Sequence, residues 1–514
     1  MRFAVTSLPR HGKFSSPVLL LVMALLASAA PAQELRQVVE GYVGGHQKEI
    51  LSDLMAALDI PAVASDGVNI RRKAEFLRSE LADRGLVSQI LETDGNPLVF
   101  GELSVPDAAR TLLIYCHYDG QPVDPTQWRQ DDPFQPILRD RKLSEASNVI
   151  DFESVDSFAD DWRIYARSAS DDTAPIIALL AALDALKASG IAPSSNIKVI
   201  LDGEEEAGSP SLVPAIERYR DKLAADLLLI FDGPLHQSDR PTVVFGARGI
   251  ITIDLTVFGP KAPLHSGHYG NWAPNPAMQL AQLLASMKDA EGRVVVDGFY
   301  EGIDFTPDDQ RVLDEVPDDL EELKSTLGFS RADKVGDSLQ EAIQYPSLNV
   351  RGLRSAWIGD EARTIVPDTA TAAIDVRLVI ETKPENIFEK LLTHIEGQGF
   401  HIVTGEPDDA TRAKHGRIVR VVHGGSTNAF RTQLNNAYAQ QVVAAINAAW
   451  DGPIVQKRTS GGTVPIASFI EVLGFPALGV PTVNFDNNQH SPNENVRLGH
   501  FFNSIVTFAA IFTM

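Results

Sequence analysis

Apolar and polar positions follow two periods along this chain, and the switches between them outline its elements. Across residues 36–90 apolar side chains recur at helical spacing, with Leu51, Leu54, Met55 and Leu58 as one such set. Strand-length apolar runs follow at 111–116, 197–202 and 226–232, and an Ala- and Leu-rich helical stretch lies between them at 174–188. Strands alternating with helices predict an α/β sheet with helices on its faces. Near residue 241 the pattern changes. Residues 243–245 and 250–258 alternate like strands of a half-exposed sheet, 275–288 read as a helix, 371–379 as a strand and 384–397 as a helix. That order predicts a small α+β domain inserted into the larger one. After about residue 420 the chain returns to the first domain, with 437–450 helical, 477–480 strand-like and 496–512 helical. No internal repeat or long low-complexity tract interrupts it.

With 514 residues the chain is long enough for two domains with substantial cores. Its start reads differently from the rest. Arg2, Arg10 and Lys13 precede a nearly all-apolar run at 18–30, too short to span a bilayer well, and small-x-small patterns at 27–29 and 30–32 offer cleavage sites. This predicts a secretory leader at 1–32 and an exported protein, periplasmic or secreted; an uncleaved membrane anchor is the alternative. The predicted organisation is then 33–240 as the first part of the principal domain, 241–420 as the insert and 421–514 as the second part. The whole chain carries −23, and the leader holds three basic residues and no acids, so the remainder carries −26. A surface this acidic repels nucleic acid and anionic lipid. Residues 301–340 are an acidic, helix-prone stretch whose charges read as a solvated face. Cys116 is the single cysteine, so no internal disulfide forms. Its place in an apolar strand predicts a buried, inert thiol, since a reactive one needs an accessible, electropositive setting.

The chemistry gathers at the ends of the predicted strands. The run 112–116 ends at His117, with Asp119 two residues later. Alternate residues of a strand share a face, so an imidazole there can ligate a metal while the carboxylate orients it. Ser170-Asp171-Asp172 precedes the 174–188 helix and is by itself a good N-terminal cap. Asp202-Gly203-Glu204-Glu205-Glu206 ends another strand; three adjacent glutamates at the mouth of a sheet repel one another unless cations relieve them, and one can serve as a base. Asp232 ends a third strand, and His490 sits in the polar loop Asn488-Gln489-His490-Ser491-Pro492-Asn493-Glu494 before the last helix. Taken singly, each has an ordinary reading as a turn or surface residue. Jointly they converge, because sites in open α/β sheets form at the C-terminal ends of strands. Two histidines and three carboxylates make a mixed nitrogen and oxygen set suited to zinc, with manganese or cobalt as alternatives.

In this order the residues resemble the M20 family of metallopeptidases, in particular its carnosinase-like dipeptidase branch, from about residue 40 to the end. The resemblance implies a zinc-peptidase-like α/β catalytic domain with a mixed sheet and flanking helices, plus an inserted α+β lid and dimerisation domain. It implies two divalent metal ions: His117 and Asp232 bind one, Glu206 and His490 the other, and Asp171 bridges them. Asp119 orients His117. Glu205, chosen over Glu204 by alignment to the family's Glu-Glu, is the general base that takes a proton from the bridging water and hands it to the leaving amine. His265, in Pro263-Leu264-His265-Ser266-Gly267, corresponds to a histidine that reaches the partner subunit's site and stabilises the oxyanion, which implies a homodimer. Arg377 and the loop Ser460-Gly461-Gly462-Thr463 correspond to groups that hold a substrate carboxylate. Two positions depart from the family pattern: Gly-Arg-Gly is Ala166-Arg167-Ser168 here, and the lysine after the aspartate pair is Thr173. The implied function is hydrolysis of the amide bond of dipeptides or short peptides with a free C-terminal carboxylate. An N-acyl amino acid amidohydrolase or a carboxypeptidase on the same fold is the alternative, since pocket shape selects the substrate. A non-catalytic exported protein that binds carboxylates is a more distant one, and the presence of Glu205 argues against it.

Overall fold

A computed structural model describes residues 17–450, 452–464 and 467–514, with side chains described from residue 33 onward. An eight-stranded mixed sheet runs in the order Val87–Leu91, Leu98–Leu103, Asn196–Asp202, Thr111–His117, Leu227–Ile230, Ala477–Gly479, Thr242–Val244, Val455–Lys457. Its centre is parallel: Thr111–His117 lies between Asn196–Asp202 and Leu227–Ile230, both running the same way. The first two strands form an antiparallel hairpin, and the second pairs antiparallel with Asn196–Asp202.

Thr111–His117 shows why its sequence is a continuous apolar run. Leu112, Ile114 and Cys116 pack into the core under the helices Ala174–Ala188, Ala437–Ala449 and Leu498–Phe512. Leu113 and Tyr115 enter a second core on the opposite face, with Leu212 and Phe469 from the helices Leu212–Arg218 and Ala467–Leu473. A strand covered on both faces has no polar side to alternate with. The stretch read as helical over 36–90 is two helices, Pro17–Leu58 and Gly67–Asp83, followed by the strand Val87–Leu91. Asp66 caps the second helix by accepting from Asn69 N–H. The hairpin at 87–103 was hidden in the sequence, because its Thr93-Asp94-Gly95-Asn96 turn is its one strong signal.

A second sheet has five strands in the order Ser347–Arg354, Thr369–Leu378, Gly249–Phe258, Ile418–Thr427, His401–Val403. Thr369–Leu378 alternates strictly between buried and partly exposed positions, as a sheet covered on one face must. The helices Pro276–Met287 and Pro384–Gly397 supply Leu280, Leu283, Ile387 and Leu391 to the core on the covered face. The short strand Thr242–Val244, by contrast, belongs to the larger sheet.

The acidic stretch 301–340 differs from its sequence reading. It forms the helices Pro307–Glu315 and Leu320–Leu327 and leads to the turn Leu339–Ala342. Asp308 and Glu321 are solvated, but Asp309 receives Arg458 Nε at 2.6 Å and Asp318 receives His236 Nε2 at 2.9 Å. The charge run is therefore not a solvated face alone, because two of its carboxylates tie the insert to the larger sheet's side of the molecule.

Candidate dinuclear metal centre

The parallel strands finish at one edge. His117 pairs in register with Asp202, and Asp232 lies two residues beyond the end of Leu227–Ile230. The loops that follow bring the distant acids there. Asp171 stands at the centre. Its Oδ1 lies 2.8 Å from His117 Nε2, while its Oδ2 lies 3.1 Å from His490 Nε2. His490 Nε2 is also 3.2 Å from Glu206 Oε2. Among the described residues, two groups each offer ligand atoms within 4.8 Å of one another: His117, Asp171 and Asp232, and Asp171, Glu206 and His490. The groups share Asp171 and use its two oxygens on separate sides. This donor set fits two neighbouring divalent cations, as imidazole nitrogens mixed with carboxylates suit zinc-like ions.

The electrostatics explain why such a cluster needs cations. Burial pushes Glu205 up to about 8, and the Asp232, Glu206 and Asp171 carboxylates add to it against the opposing pull of His117. Burial and Asp171 likewise carry Glu206 to about 7 and Asp232 to about 6. Hydrogen bonding to Asp171 lifts His490 to about 9. Burial works to raise Asp171, but hydrogen bonds with His117 and His490 hold it well below the usual carboxylate range. The Cys116 thiol is pushed well up, chiefly by burial, in keeping with an inert role.

The surrounding residues fix this arrangement. Asp119 approaches His117 Nδ1 with Oδ1 at 3.4 Å, and its carboxylate accepts Glu205 N–H at 3.0 Å and Glu206 N–H at 3.1 Å. It thus joins the histidine strand to the glutamate turn. Glu204 faces elsewhere: its carboxylate accepts the backbone N–H groups of Asn96 and Ser211. Glu205 lines a cavity of about 460 Å³ together with Asp171, Asp232 and His490. Ser460, Gly461, Gly462 and Thr463 line the same cavity, and Arg377 donates from Nη1 to Thr463 Oγ1 at 2.6 Å. His265 is not brought into it. That residue is exposed, on the short strand Leu264–His265 that pairs with Ile365–Val366.

Sequence reasoning missed several supports. Glu494 is fully buried and accepts from Arg167 Nη1 at 2.7 Å, from Ser170 N–H and Oγ, and from the N–H groups of Ser168 and Asp171. It organises the turn that presents Asp171, and its one sequence signal is its position four residues after His490. Gln121 donates to Glu206 Oε2 and Gln489 to Asp171 Oδ2. The two departures from the family pattern also acquire meaning. Ser168 adopts a φ of 65°, the left-handed conformation that glycine takes without cost, so the backbone keeps its shape without the glycine. Thr173 stands where the family pattern has lysine, and a lysine from another helix, the fully buried Lys73, donates to Thr173 Oγ1 at 3.0 Å.

A sheet whose strand ends gather two overlapping metal-ligand groups defines a metal-dependent hydrolase of the zinc-peptidase type. The model of peptidase family M20/M25/M40 matches residues 113–513, and the chain belongs to that family. It is similar to the Cys-Gly metallodipeptidase DUG1 of Saccharomyces cerevisiae, 25% identical over 90% of this chain and 94% of the relative. It is also similar to the Beta-Ala-His dipeptidase of Homo sapiens, 24% identical over 98% of each chain. Among solved structures, an M20 family metallo-carboxypeptidase from Sulfolobus solfataricus superposes with a TM-score of 0.73 at 29% identity, covering 90% of this chain and 98% of that one.

The comparisons overturn one expectation. Relatives such as the Cys-Gly metallodipeptidases do not support an exported protein, periplasmic or secreted, and that reading is withdrawn. Residues 1–16 of the expected leader lie outside the described residues. From Pro17 the backbone is helical through the expected cleavage positions and on to Leu58, with one non-helical residue at His46. Those positions therefore lie inside a helix rather than in an extended segment. Among the described residues no helix is long and apolar enough to cross a membrane.

Proposed function

We propose that this chain is a dinuclear metallodipeptidase in which His117 and Asp232 hold one divalent cation, Glu206 and His490 hold the other, and Asp171 is shared. The observation that carries this reading is the division of Asp171's two oxygens between His117 and His490. Two cations, zinc in this reading, supply the charge that polarises the scissile carbonyl. Glu205 takes a proton from the attacking water and delivers it to the leaving amine, a role supported by its place in the cavity beside Asp171, Asp232 and His490. Asp119 fixes the His117 ring and the backbone of the glutamate turn together. Arg377 and the Ser460–Thr463 loop seat the substrate's C-terminal carboxylate, a role supported by the Arg377–Thr463 hydrogen bond beside the cavity. Relatives named for Cys-Gly and β-Ala-His dipeptides favour this substrate class over an N-acyl amino acid.

Residues 241–420 serve in this reading as a lid and dimerisation unit, and His265 of a second copy completes the site. Support comes from the exposure of His265 and of large apolar side chains within the same residues: Trp272 is 82%, Leu353 64% and Ile358 88% exposed. The test of the assignment is Glu205→Gln in protein loaded with zinc, assayed on a dipeptide panel with and without chelator. The variant keeps two metals per chain and loses turnover by about 100- to 10,000-fold; undiminished turnover, or full activity in chelator, refutes it.

A further inference from the structure

The two halves of the metal centre are not held alike. His117 ends a central strand of the larger sheet and is fully buried, and Asp232 follows the strand paired beside it. His490 stands instead on the loop 484–494, and its side chain is 56% exposed. The backbone of that loop is strained: Asn488, His490 and Asn493 have φ of 58°, 58° and 64°. Residues with a side chain enter this left-handed region only where their surroundings hold them there. Asp171 and Glu206, which His490 Nε2 approaches at 3.1 and 3.2 Å, are carried by other segments. The place of His490 therefore depends on how the ends of its own loop are anchored.

One side chain reaches both ends. Arg163, 4% exposed on the strand Arg163–Tyr165, donates from Nη1 to Asp486 Oδ1 at 3.0 Å and from Nη2 to Asp486 Oδ2 at 3.0 Å. The same Nη1 donates to Asn495 Oδ1 at 2.7 Å. Asp486 opens the loop and Asn495 closes it. The backbone N–H and side-chain amide of Asn495 donate in turn to the Asn487 carbonyl at 2.8 and 3.2 Å, which shuts the neck. Asp486 also accepts from Asn484 Nδ2 at 3.0 Å and pairs with Lys142. Burial works to raise Asp486, but hydrogen bonds from Arg163, Lys142 and Asn484 hold it below the usual carboxylate range. A bidentate guanidinium–carboxylate pair fixes direction as well as distance. The turn that presents Asp171 is held by a different side chain, Glu494.

We propose that the Arg163–Asp486 pair is a positioning clamp for His490, and that it sets the affinity of the cation held by Glu206 and His490 without setting that of the cation held by His117 and Asp232. The clamp's role rests on the dinuclear reading, because only a centre with two sites can lose one of them. Loosening the support of a metal-binding residue costs about 10- to 100-fold in affinity, and here that loss falls on a single site.

The test titrates zinc into the metal-free full chain against a competing chromophoric chelator. It compares the natural sequence, Asp486→Asn, Arg163→Lys, His490→Ala and the double variant Asp486→Asn/His490→Ala. The natural protein takes up two zinc ions per chain, and His490→Ala keeps one tight site. Asp486→Asn weakens one of the two sites by about 10- to 100-fold and the other by less than about threefold. Arg163→Lys, which keeps the charge and loses the planar fork, does the same. In the His490→Ala background Asp486→Asn leaves the remaining site unchanged, because the residue through which it acts is gone. Thermal unfolding of each metal-free variant confirms that it is folded. Equal weakening of both sites would make the pair a general structural support, and unchanged affinities would show that the loop holds His490 by itself; either overturns the clamp and leaves the two-metal reading standing. A natural protein that binds fewer than two zinc ions, or a His490→Ala variant that still binds two as tightly, sinks both.

Discussion

Glu494 does the most at the scale of single residues, though it holds no metal in the proposed scheme. Its carboxylate is the common acceptor for Arg167, Ser168, Ser170 and the backbone of Asp171. A glutamine in its place has one acceptor oxygen and no charge to answer Arg167. Breaking a buried pair by neutralising one partner costs about 3–5 kcal/mol, and loosening the support of a metal ligand costs about 10- to 100-fold in affinity. Glu494→Gln therefore unfolds at lower urea and binds zinc more weakly, both read in one titration series; natural behaviour in both would show that the turn holds itself. Lys73 carries a pH prediction. Burial lowers it to about 8, against the attraction of Asp119 and Glu494. A lysine whose folded pKa lies below its unfolded value of 10.5 binds fewer protons in the native state between those limits, so stability rises with pH across that window. The cost of burying its charge, roughly 3 kcal/mol, is full below about pH 8 and fades toward 10.5. The stability gained by Lys73→Met is thus largest below pH 8 and shrinks above it, as paired melts from pH 7 to 10.5 will report; a constant gain would show that Lys73 does not titrate in that window.

Among the elements, the acidic insert shows how charge patterning misleads. Asp308 and Asp309 are adjacent in sequence, yet the first is 84% exposed at its side chain and the second meets Arg458. Helical geometry turns neighbouring side chains about 100° apart, and only the partner surface decides which of them is covered. The Asp309–Arg458 pair is the insert's firmest ionic tie to the cavity wall, since Arg458 is almost fully buried. Asp309→Ala leaves that guanidinium with the hydrogen bond to Gln344 and the Phe305 ring beneath it, and no counter-charge from Asp309. Loss of the pair raises KM for dipeptides more than it lowers kcat, because residues 301–340 line the cavity through Asp318, Leu323, Leu339 and Gln340 and supply no reacting group; the reverse pattern in steady-state kinetics would place that stretch in the chemical step.

For the whole molecule the predictions concern metal and partner. Cations bound only by the folded chain stabilise it by mass action, about 4 kcal/mol at a thousandfold excess over Kd. Chelator therefore lowers Tm and abolishes activity together, and zinc restores both; activity lost with Tm unmoved would argue against a centre that joins four separate loops. The crossed role of His265 is tested by mixing. If the chain dimerises as proposed and His265 acts across the interface, Glu205→Gln and His265→Ala proteins are each inactive, but subunit exchange produces heterodimers in which one site has both groups, so activity returns. A mixture that stays inactive after exchange, verified by mass, would confine His265 to its own chain.

How far the sequence reached follows from the range of each interaction. The alternation of strands and helices was legible because periodicity is local: 174–188 and 384–397 are helices as read, and the central strand is buried on both faces as its unbroken apolar run implies. The candidate ligands were legible because their chemical types recur at strand ends in a fixed order. Their partners were not. Lys73 meets Thr173, Glu494 meets Ser168 and Asp171, and Glu204 turns to Asn96 while Glu205 lines the cavity. Each of these joins residues roughly a hundred or more positions apart or separates immediate neighbours. Sequence alone determined which residue types stand at the strand ends as candidates for the chemistry, because that is a matter of side-chain type and spacing along the chain. Tertiary structure decided which of them face one another, because that depends on how two sheets, an insert and the last helix pack, and packing is a property of surfaces that no local pattern encodes.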